Sequence, residues 1–470
     1  DALRLLRARG KKVVCHLEDA GGRALHTCAH ADRVVVNPAG GIRFAGLHID
    51  RTYLAGLMRK LGVRAQFVRI GVHKSAPEQF TNTSPSDVAE EDSRQNLAQI
   101  ESEMIASIAQ GRNLAPAQVR AALSRGPFTA REALADRLVD GFAYDDELRT
   151  VVSEVVGRSI VLRENLPSEA PKRFGHQRKL AIVYVDGNIV DGRSQNIPFL
   201  GIRLVGSYTI AESLKHARED PSVGAIVLRV ESPGGSSMAS DVMWREIVLA
   251  AREKPVVVSM GGVAASGGYY VAAPGTKIYA SPFTVTGSIG IFYGKADVAE
   301  LLTKVGVNVT TLKTTPHADA ESIYRPFTQE EAKLLGGKVK QFYDVFIDRV
   351  ARGRKMSPDK VDAVARGRVW MGREAARHGL VDEIGGLRQA LETARREGAL
   401  PDDAPIIELP PPDFSLIAFA SRMVGSQEQQ PSILQGAVQG QVRQLLRDAA
   451  PFVIYDPFQP LALCESTVVP

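Results

Sequence analysis

The sequence predicts a tandem α/β protein, and three observations predict it. Apolar, β-branched runs such as PVVVSM (Pro255–Met260) and AIVLRV (Ala225–Val230) have the length and composition of buried strands. Helical patterns around Ile210–Arg218 and Met238–Arg252 alternate with them, which implies a mostly parallel sheet. The chain also repeats itself: KKVVCHLEDAGGRALHTCAHADRVVVNP (Lys11–Pro38) lies without a gap on PVVVSMGGVAASGGYYVAAPGTKIYASP (Pro255–Pro282), an offset of 244 residues.

At that offset LMRKLGV (Leu57–Val63) lies on LLTKVGV (Leu301–Val307), and REALADRLVDG (Arg131–Gly141) matches REAARHGLVDEIG (Arg373–Gly385) with a drift of two. A period this long means duplicated domains. The first copy occupies 1–156 and the second 179–395, with a charged, Pro-containing linker at 157–178. Residues 396–470 read as an irregular extension, with a Pro run, a Gln-rich patch, a short amphipathic stretch at 438–446 and an apolar end. The first copy lacks the counterpart of Lys179–Trp244, so the chain reads as a piece of a longer protein whose targeting or anchoring segment precedes Asp1.

In the second copy KLAIVYVDGNIVDG (Lys179–Gly192) opens as a strand ending in a turn, and long helical patterns run over 329–354 and 358–365. A chain of 470 residues has ample core for two or three domains. Its net charge of +5 is scattered without runs, which excludes a nucleic-acid footprint. Three cysteines (Cys15, Cys28, Cys464) form no CxxC pair, and their odd number predicts no disulfide framework or zinc site, with Cys15 read as a core residue. The histidines show no metal-ligand spacing, no apolar run is long enough to span a bilayer, and no signal peptide opens the chain.

Chemistry concentrates at glycine-rich turns. GGVAASGGYYVA (Gly261–Ala272) follows a strand and opens a helix, placing Ser266 where backbone N–H groups converge; an ordinary N-cap serine is the bland reading. ESPGGSSMAS (Glu231–Ser240) places Gly234 and Gly235 at another sheet edge, suited to an oxyanion hole or to plain capping. TGSIGIF (Thr286–Phe292) offers Ser288 between glycines. A serine nucleophile needs a base. His216 and His378 sit on helix faces, whereas a lysine serves if burial lowers its pKa. RIGVHKSAPEQF (Arg69–Phe80) carries Lys74, whose counterpart is Ala318; the counterparts of Ser266 and Ser288 are Gly22 and Phe44. Each copy lacks what the other keeps.

Together, GGVAASGGYYVA, RVESPGGSSMAS, TGSIGIF and GVHKSAPEQF resemble the signal peptide peptidase A family of the long, duplicated bacterial type. The resemblance covers residues 1 to about 391, with a looser match at the DPFQPLALC ending. It implies tandem crotonase-like (Clp-protease-like) α/β domains with helical elements. It implies Ser266 as nucleophile, Lys74 as general base, Ser288 orienting the lysine, and Gly267 with the Gly234–Gly235 turn as oxyanion donors. It implies no metal or cofactor and a bowl-shaped homo-oligomer, a tetramer. The substrates would be remnant signal peptides and other apolar peptides at the bacterial cytoplasmic membrane, with the catalytic domain on the periplasmic side and the anchor outside this chain. An apolar groove is expected, with Ala264 and Ala265 leaving room beside Ser266. Two alternatives stand beside this reading: a crotonase-type acyl-CoA hydratase or isomerase on the same fold, and a non-catalytic peptide-binding scaffold.

Overall fold

Strands form where the β-branched runs lie, and the mixed sheets and helices they build make this an α/β protein. The computed structural model describes residues 2–163, 177–197, 202–411, 454–455 and 460–464. Most of the linker and most of the extension, including 438–446, lie outside the described residues. The chain packs as two units, one of residues 1–50, 94–174 and 467–470, the other of 51–93 and 175–466. The segment 51–93, part of the first copy by sequence, is thus built into the second unit.

In the second unit the main sheet runs in the spatial order Ile406–Leu409, Lys179–Asp186, Val223–Ser232, Val256–Ala265, Val285–Gly287, Val369–Met371. Neighbours are parallel up to Val285–Gly287, and only Val369–Met371 closes the edge antiparallel. Lys277–Ala280 pairs beside Val256–Ala265, and Glu383–Ile384 beside Lys277–Ala280. Helices Ser207–Glu219, Ser237–Glu253 and Gln329–Arg354 bury one apolar face each. Ile210, Leu214, Met243, Ile247, Phe346 and Val350 from these helices share one core with the strand residues Leu228, Val258 and Met260.

A second sheet carries Arg64–Ile70, Ile291–Asp297, Leu461–Leu463, Gly234–Ser236, Asn188–Val190, Ile202–Gly206 and Gln195–Ile197, in that order. Two strands of the second unit were not legible in the sequence. Ile406–Leu409 and Leu461–Leu463 both come from the segment read as an irregular extension, and they pair with Lys179–Asp186 and Gly234–Ser236 respectively.

The duplication is visible in hydrogen-bond register. Asp19–Gly21 pair with Gly41–Arg43 in the first unit as Val263–Ala265 pair with Val285–Gly287 in the second. Gly41 and Ile42 meet Thr129 and Phe128 as Val285 and Thr286 meet Met371 and Trp370. The two-pronged ion pair Arg112–Asp140 is matched by Arg354–Asp382. Helices Asp87–Arg112 and Gln329–Arg354 are 26 residues each.

One expectation is corrected here. Cys15 and Cys28 are joined as a disulfide, their Cα atoms 5.7 Å apart, and Cys15 is half-buried. Strand Val14–Gly21 turns directly into helix Gly22–Cys28, which doubles back and brings its last residue beside the strand's start, at normal disulfide spacing. An odd cysteine count therefore leaves one thiol over, and that thiol is Cys464. Titration of the denatured, unreduced protein with a thiol reagent is expected to find one thiol per chain, rising to three after reduction. Three thiols before reduction, in protein prepared without reductant, would contradict the pairing.

Candidate active site

The strand Val256–Ala265 ends in small residues because its neighbours approach closely. The Glu231 carboxylate accepts the N–H groups of Gly262 (2.8 Å) and Val263 (3.0 Å), and a Cβ on Gly261 would strike its Oε2. Thr284 and Thr286 donate their hydroxyls to the carbonyls of Gly261 and Ala264. The chain then turns at Ser266 into helix Gly267–Ala272, every residue of which is buried.

Ser266 has φ 54° and ψ −114°, a conformation that costs a non-glycine residue about 1–3 kcal/mol. Its surroundings hold it there: its N–H donates to the Gly287 carbonyl (2.8 Å), and its own carbonyl accepts the Tyr270 N–H (2.8 Å). A sharp strand-to-helix turn of this kind presents a nucleophile's hydroxyl away from its own backbone. The bland reading fails at this residue, for the Ser266 side chain makes no capping hydrogen bond. Ser236, by contrast, does cap, accepting the Ala239 N–H at 3.2 Å.

The Ser266 hydroxyl meets Lys74 instead. Lys74 Nζ lies 2.8 Å from Ser266 Oγ, 3.1 Å from Ser288 Oγ and 3.1 Å from the Ser288 carbonyl oxygen. Both serines and the lysine are within the second unit, so the three meet inside one chain. Lys74 is 1% exposed, and burial pushes its pKa down to about 7, partly opposed by the nearby Cys464 sulfur. A neutral amine has two N–H donors and one lone pair. With the donors on the two Ser288 oxygens, the lone pair faces the Ser266 hydroxyl proton.

Several residues that hold this geometry carry no sequence signal of their own. Arg69 donates to the Lys74 carbonyl (2.7 Å) and to Glu78 Oε1 (2.8 Å), tying the lysine's loop to strand Arg64–Ile70. Burial alone would raise the Glu78 carboxyl; the Ser86 N–H and hydroxyl together with Arg69 outweigh it and hold it below its usual range. Gly367, at φ +84°, packs on the Lys74 backbone, where a Cβ would come within 2.5 Å of its nitrogen, and Gly290 lies against the lysine stem. Ser288 also has a positive φ, 50°, fixed by donation of its N–H to the Arg368 carbonyl (2.7 Å).

The proposed oxyanion glycines are placed more subtly. Gly234 and Gly235 have φ of +102° and +152°, and Cβ atoms there would strike the carbonyls of Ala462 and Ile189. Glycine is required at both for close sheet pairing. The Gly234 N–H donates to Ser232 Oγ at 3.1 Å, so it is engaged within its own turn. Gly267 N sits beside Gly234, 2.6 Å from where a Gly234 Cβ would be, and as the first residue of its helix it has no intrahelical acceptor. The strand Leu461–Leu463 lies antiparallel along Gly234–Ser236, with the Cys464 N–H on the Pro233 carbonyl. Ala264 and Ala265 are fully buried, so neither methyl group is open to a groove, and Ala264 belongs to the same core as Val258 and Met260. His216, on helix Ser207–Glu219, is exposed, and His378 stacks its ring 4.1 Å from Trp370.

In the first unit the counterparts of Ser266 and Ser288 also meet. A Cβ on Gly22 would lie 2.6 Å from the Phe44 ring, and Phe44 is buried. The aromatic ring fills the space and glycine makes room for it, so that half of the duplication is packed solid where the other carries polar chemistry.

The profile of peptidase family S49 matches residues 6–158 and 249–400. The chain belongs to peptidase family S49. It is 31% identical over 427 residues to "Serine protease SPPA, chloroplastic" of Arabidopsis thaliana, covering 87% of this chain and 62% of that one. It is 33% identical over 409 residues to "Protease 4" of Salmonella typhi (84% of this chain, 65% of the relative). It is 30% identical over 413 residues to "Protease 4" of Haemophilus influenzae (82% and 65%). The chain thus spans just under two-thirds of the length of these relatives. The two stretches matched by the S49 profile fall on the two repeats that the internal offset defines.

The buried lysine has a consequence for stability. Folded Lys74 loses its proton above about pH 7 and the unfolded lysine only near 10.4, so between these values the unfolded state binds more protons. Wild-type stability therefore gains with rising pH across that window, a contribution absent from Lys74→Met. The Met variant is expected to melt higher than wild type near pH 7, with the gap narrowing towards about pH 9.5. A gap independent of pH, measured by thermal unfolding across that range, would contradict a depressed Lys74 pKa.

Proposed function

We propose that this S49 chain is a serine endopeptidase in which Ser266 and Lys74 form the catalytic dyad. The observation that carries the reading is the 2.8 Å approach of a fully buried lysine amine, its pKa lowered to about 7, to a hydroxyl held on a strained turn. An amine kept dry and near-neutral is the form that can act as a base at physiological pH.

In the reaction, the Ser266 hydroxyl proton passes to Lys74 Nζ as Oγ bonds to the scissile carbonyl carbon. The resulting oxyanion faces the Gly267 N–H, beside the Gly234–Gly235 turn. The Lys74 ammonium then gives its proton to the departing amide nitrogen, the C–N bond breaks, and an acyl-enzyme remains. Water attacks that ester with Lys74 again taking the proton, and its return to Ser266 Oγ releases the acid. Throughout, Ser288 accepts the two N–H groups that the amine does not use and so aims its lone pair.

On the same reading the two copies are crotonase-like domains, and the substrates are remnant signal peptides and other apolar peptides. Strand Gly234–Ser236 lies between Asn188–Val190 and the extended antiparallel segment Leu461–Leu463, and a peptide backbone recognised by strand addition takes the place that Leu461–Leu463 occupies. The work is done as a homo-oligomer, a tetramer, at the outer face of the bacterial cytoplasmic membrane. No helix among the described residues is long and apolar enough to cross a membrane. The Cys15–Cys28 disulfide supports an oxidising, extracytoplasmic setting.

Cleavage of a fluorogenic apolar peptide ester tests the proposal. Ser266→Ala and Lys74→Ala are each expected to lose at least ~100-fold in kcat with unchanged circular dichroism, and Ser288→Ala to lose less. Activity retained in both dyad variants would overturn the mechanism. Turnover of an acyl-CoA that survives Ser266→Ala would replace it with crotonase-type chemistry.

A further inference from the structure

Three loops meet at the Lys74 amine, and one of them touches the other two. Residues 366–368 lie between the lysine's loop at 71–75 and the Ser288 loop at 287–290. The Arg366 carbonyl accepts the His73 N–H (3.1 Å), and the Arg368 carbonyl accepts the Ser288 N–H (2.7 Å). Gly367 donates its own N–H to the Ile289 carbonyl (2.8 Å). The approach is close: a Cβ on Gly71 would strike the Arg366 carbonyl oxygen at 2.2 Å, and Arg366 is itself held at a φ of 55°.

A side-chain bridge ties the same two loops a second time. Asp92, on helix Asp87–Arg112, accepts the His73 Nδ1–H at 2.7 Å on one carboxylate oxygen. Its other oxygen faces Arg368 Nε at 3.9 Å. A carboxylate only accepts, so the shared proton belongs to His73 Nδ1. The Arg368 guanidinium lies over the Trp370 ring, 4.4 Å from its centroid, and the indole N–H donates to the Val364 carbonyl (2.8 Å). Asp92 is the least exposed of the three linked side chains, at 16%. His73 precedes Lys74 in the chain, and Arg368 carries the carbonyl that holds Ser288. One carboxylate therefore spans both supports of the amine.

The two copies divide this bridge as they divide the dyad. Helices Asp87–Arg112 and Gln329–Arg354 match end to end, and with Arg354 set on Arg112, Asp92 falls on Leu334, an exposed residue. With Arg373 set on Arg131, Arg368 falls on Gly126. Gly126 still lies against Phe44, the counterpart of Ser288, where a Cβ would come within 2.4 Å of the Phe44 carbonyl oxygen. The loop contact is thus common to both copies, whereas the carboxylate is kept only in the first and the guanidinium only in the second.

We infer that Asp92 is a positioning residue for the dyad, locking the Lys74 loop to the Ser288 loop through His73 and Arg368. The inference rests on the Ser266–Lys74 reading. A partly exposed ion pair adds little to stability. A shift of about 1 Å at reacting groups, by contrast, costs on the order of 100-fold in rate. The bridge therefore acts on turnover more than on folding.

Hydrolysis of the fluorogenic apolar peptide ester by the full chain tests it. Asp92→Leu, which installs the other copy's residue, is expected to lower kcat about 10-fold with KM and circular dichroism unchanged. Arg368→Gln cuts the same bridge from a part-exposed side chain and should lose as much, so the bridge is read even where Asp92→Leu folds poorly. The double variant should be no worse than the poorer single variant, because both break one link. His73→Asn, whose amide offers a donor where Nδ1 stands, should keep most of the wild-type kcat, and His73→Leu should not. Wild-type kcat in Asp92→Leu or Arg368→Gln, beside an inactive Lys74→Ala, would overturn the inference and leave the dyad standing. So would losses that multiply in the double variant, or equal losses in the two His73 variants. Activity that survives Lys74→Ala would remove the dyad and this inference with it.

Discussion

The burial of one amine organises the second unit. Lys74 is enclosed by the glycine backbones of Gly290 and Gly367, its loop is clamped by Arg69, and its nitrogen is surrounded by three oxygens from two serines. Each of these features raises the cost of carrying a charge there or fixes the direction of the lone pair. The strained φ values of Ser266 and Ser288 belong to the same constraint, since both place side-chain oxygens at the amine while backbone hydrogen bonds hold the turns. Strain and desolvation, both unfavourable to folding, meet at one point, which is where function is expected to lie.

Duplication supplied the material for this site, and divergence divided it. The strand–turn–helix that carries Ser266 has a counterpart in the first unit with the same ladder register, yet there Gly22 accommodates the Phe44 ring. The lysine survives in the other copy, on a segment that packs with the second unit. One copy thus contributes Lys74 and the other Ser266 with its turns. The sheet pairing of Arg64–Ile70 with Ile291–Asp297 is what brings them together.

Much of this was legible in the sequence, for identifiable reasons. The gapless offset exposes the repeat, and helix Gln329–Arg354 has the bounds its pattern gives. The cluster of small residues after a β-branched run marks the Ser266 turn, and comparison of the two copies singles out Lys74. What escapes the sequence depends on contacts between distant residues. Nothing local marks Gly367 as the partner of Lys74, or Leu461–Leu463 as the neighbour of Gly234–Ser236. Gly234 and Gly235 read as sites of open N–H groups, but their first duty is close approach to the Ala462 and Ile189 carbonyls. The disulfide escapes because cysteine parity says nothing about which two residues a strand-to-helix turn brings together.

The central claim is that Lys74 is the base that activates Ser266 and that it titrates near neutrality. The rate at which a fluorophosphonate modifies Ser266, followed by mass spectrometry as a function of pH, tests it most directly. The account predicts a rate that rises with pH through a midpoint of about 7, and loss of that titration in Lys74→Ala. A rate flat from about pH 5 to about pH 9, or the same midpoint in the variant, would contradict it.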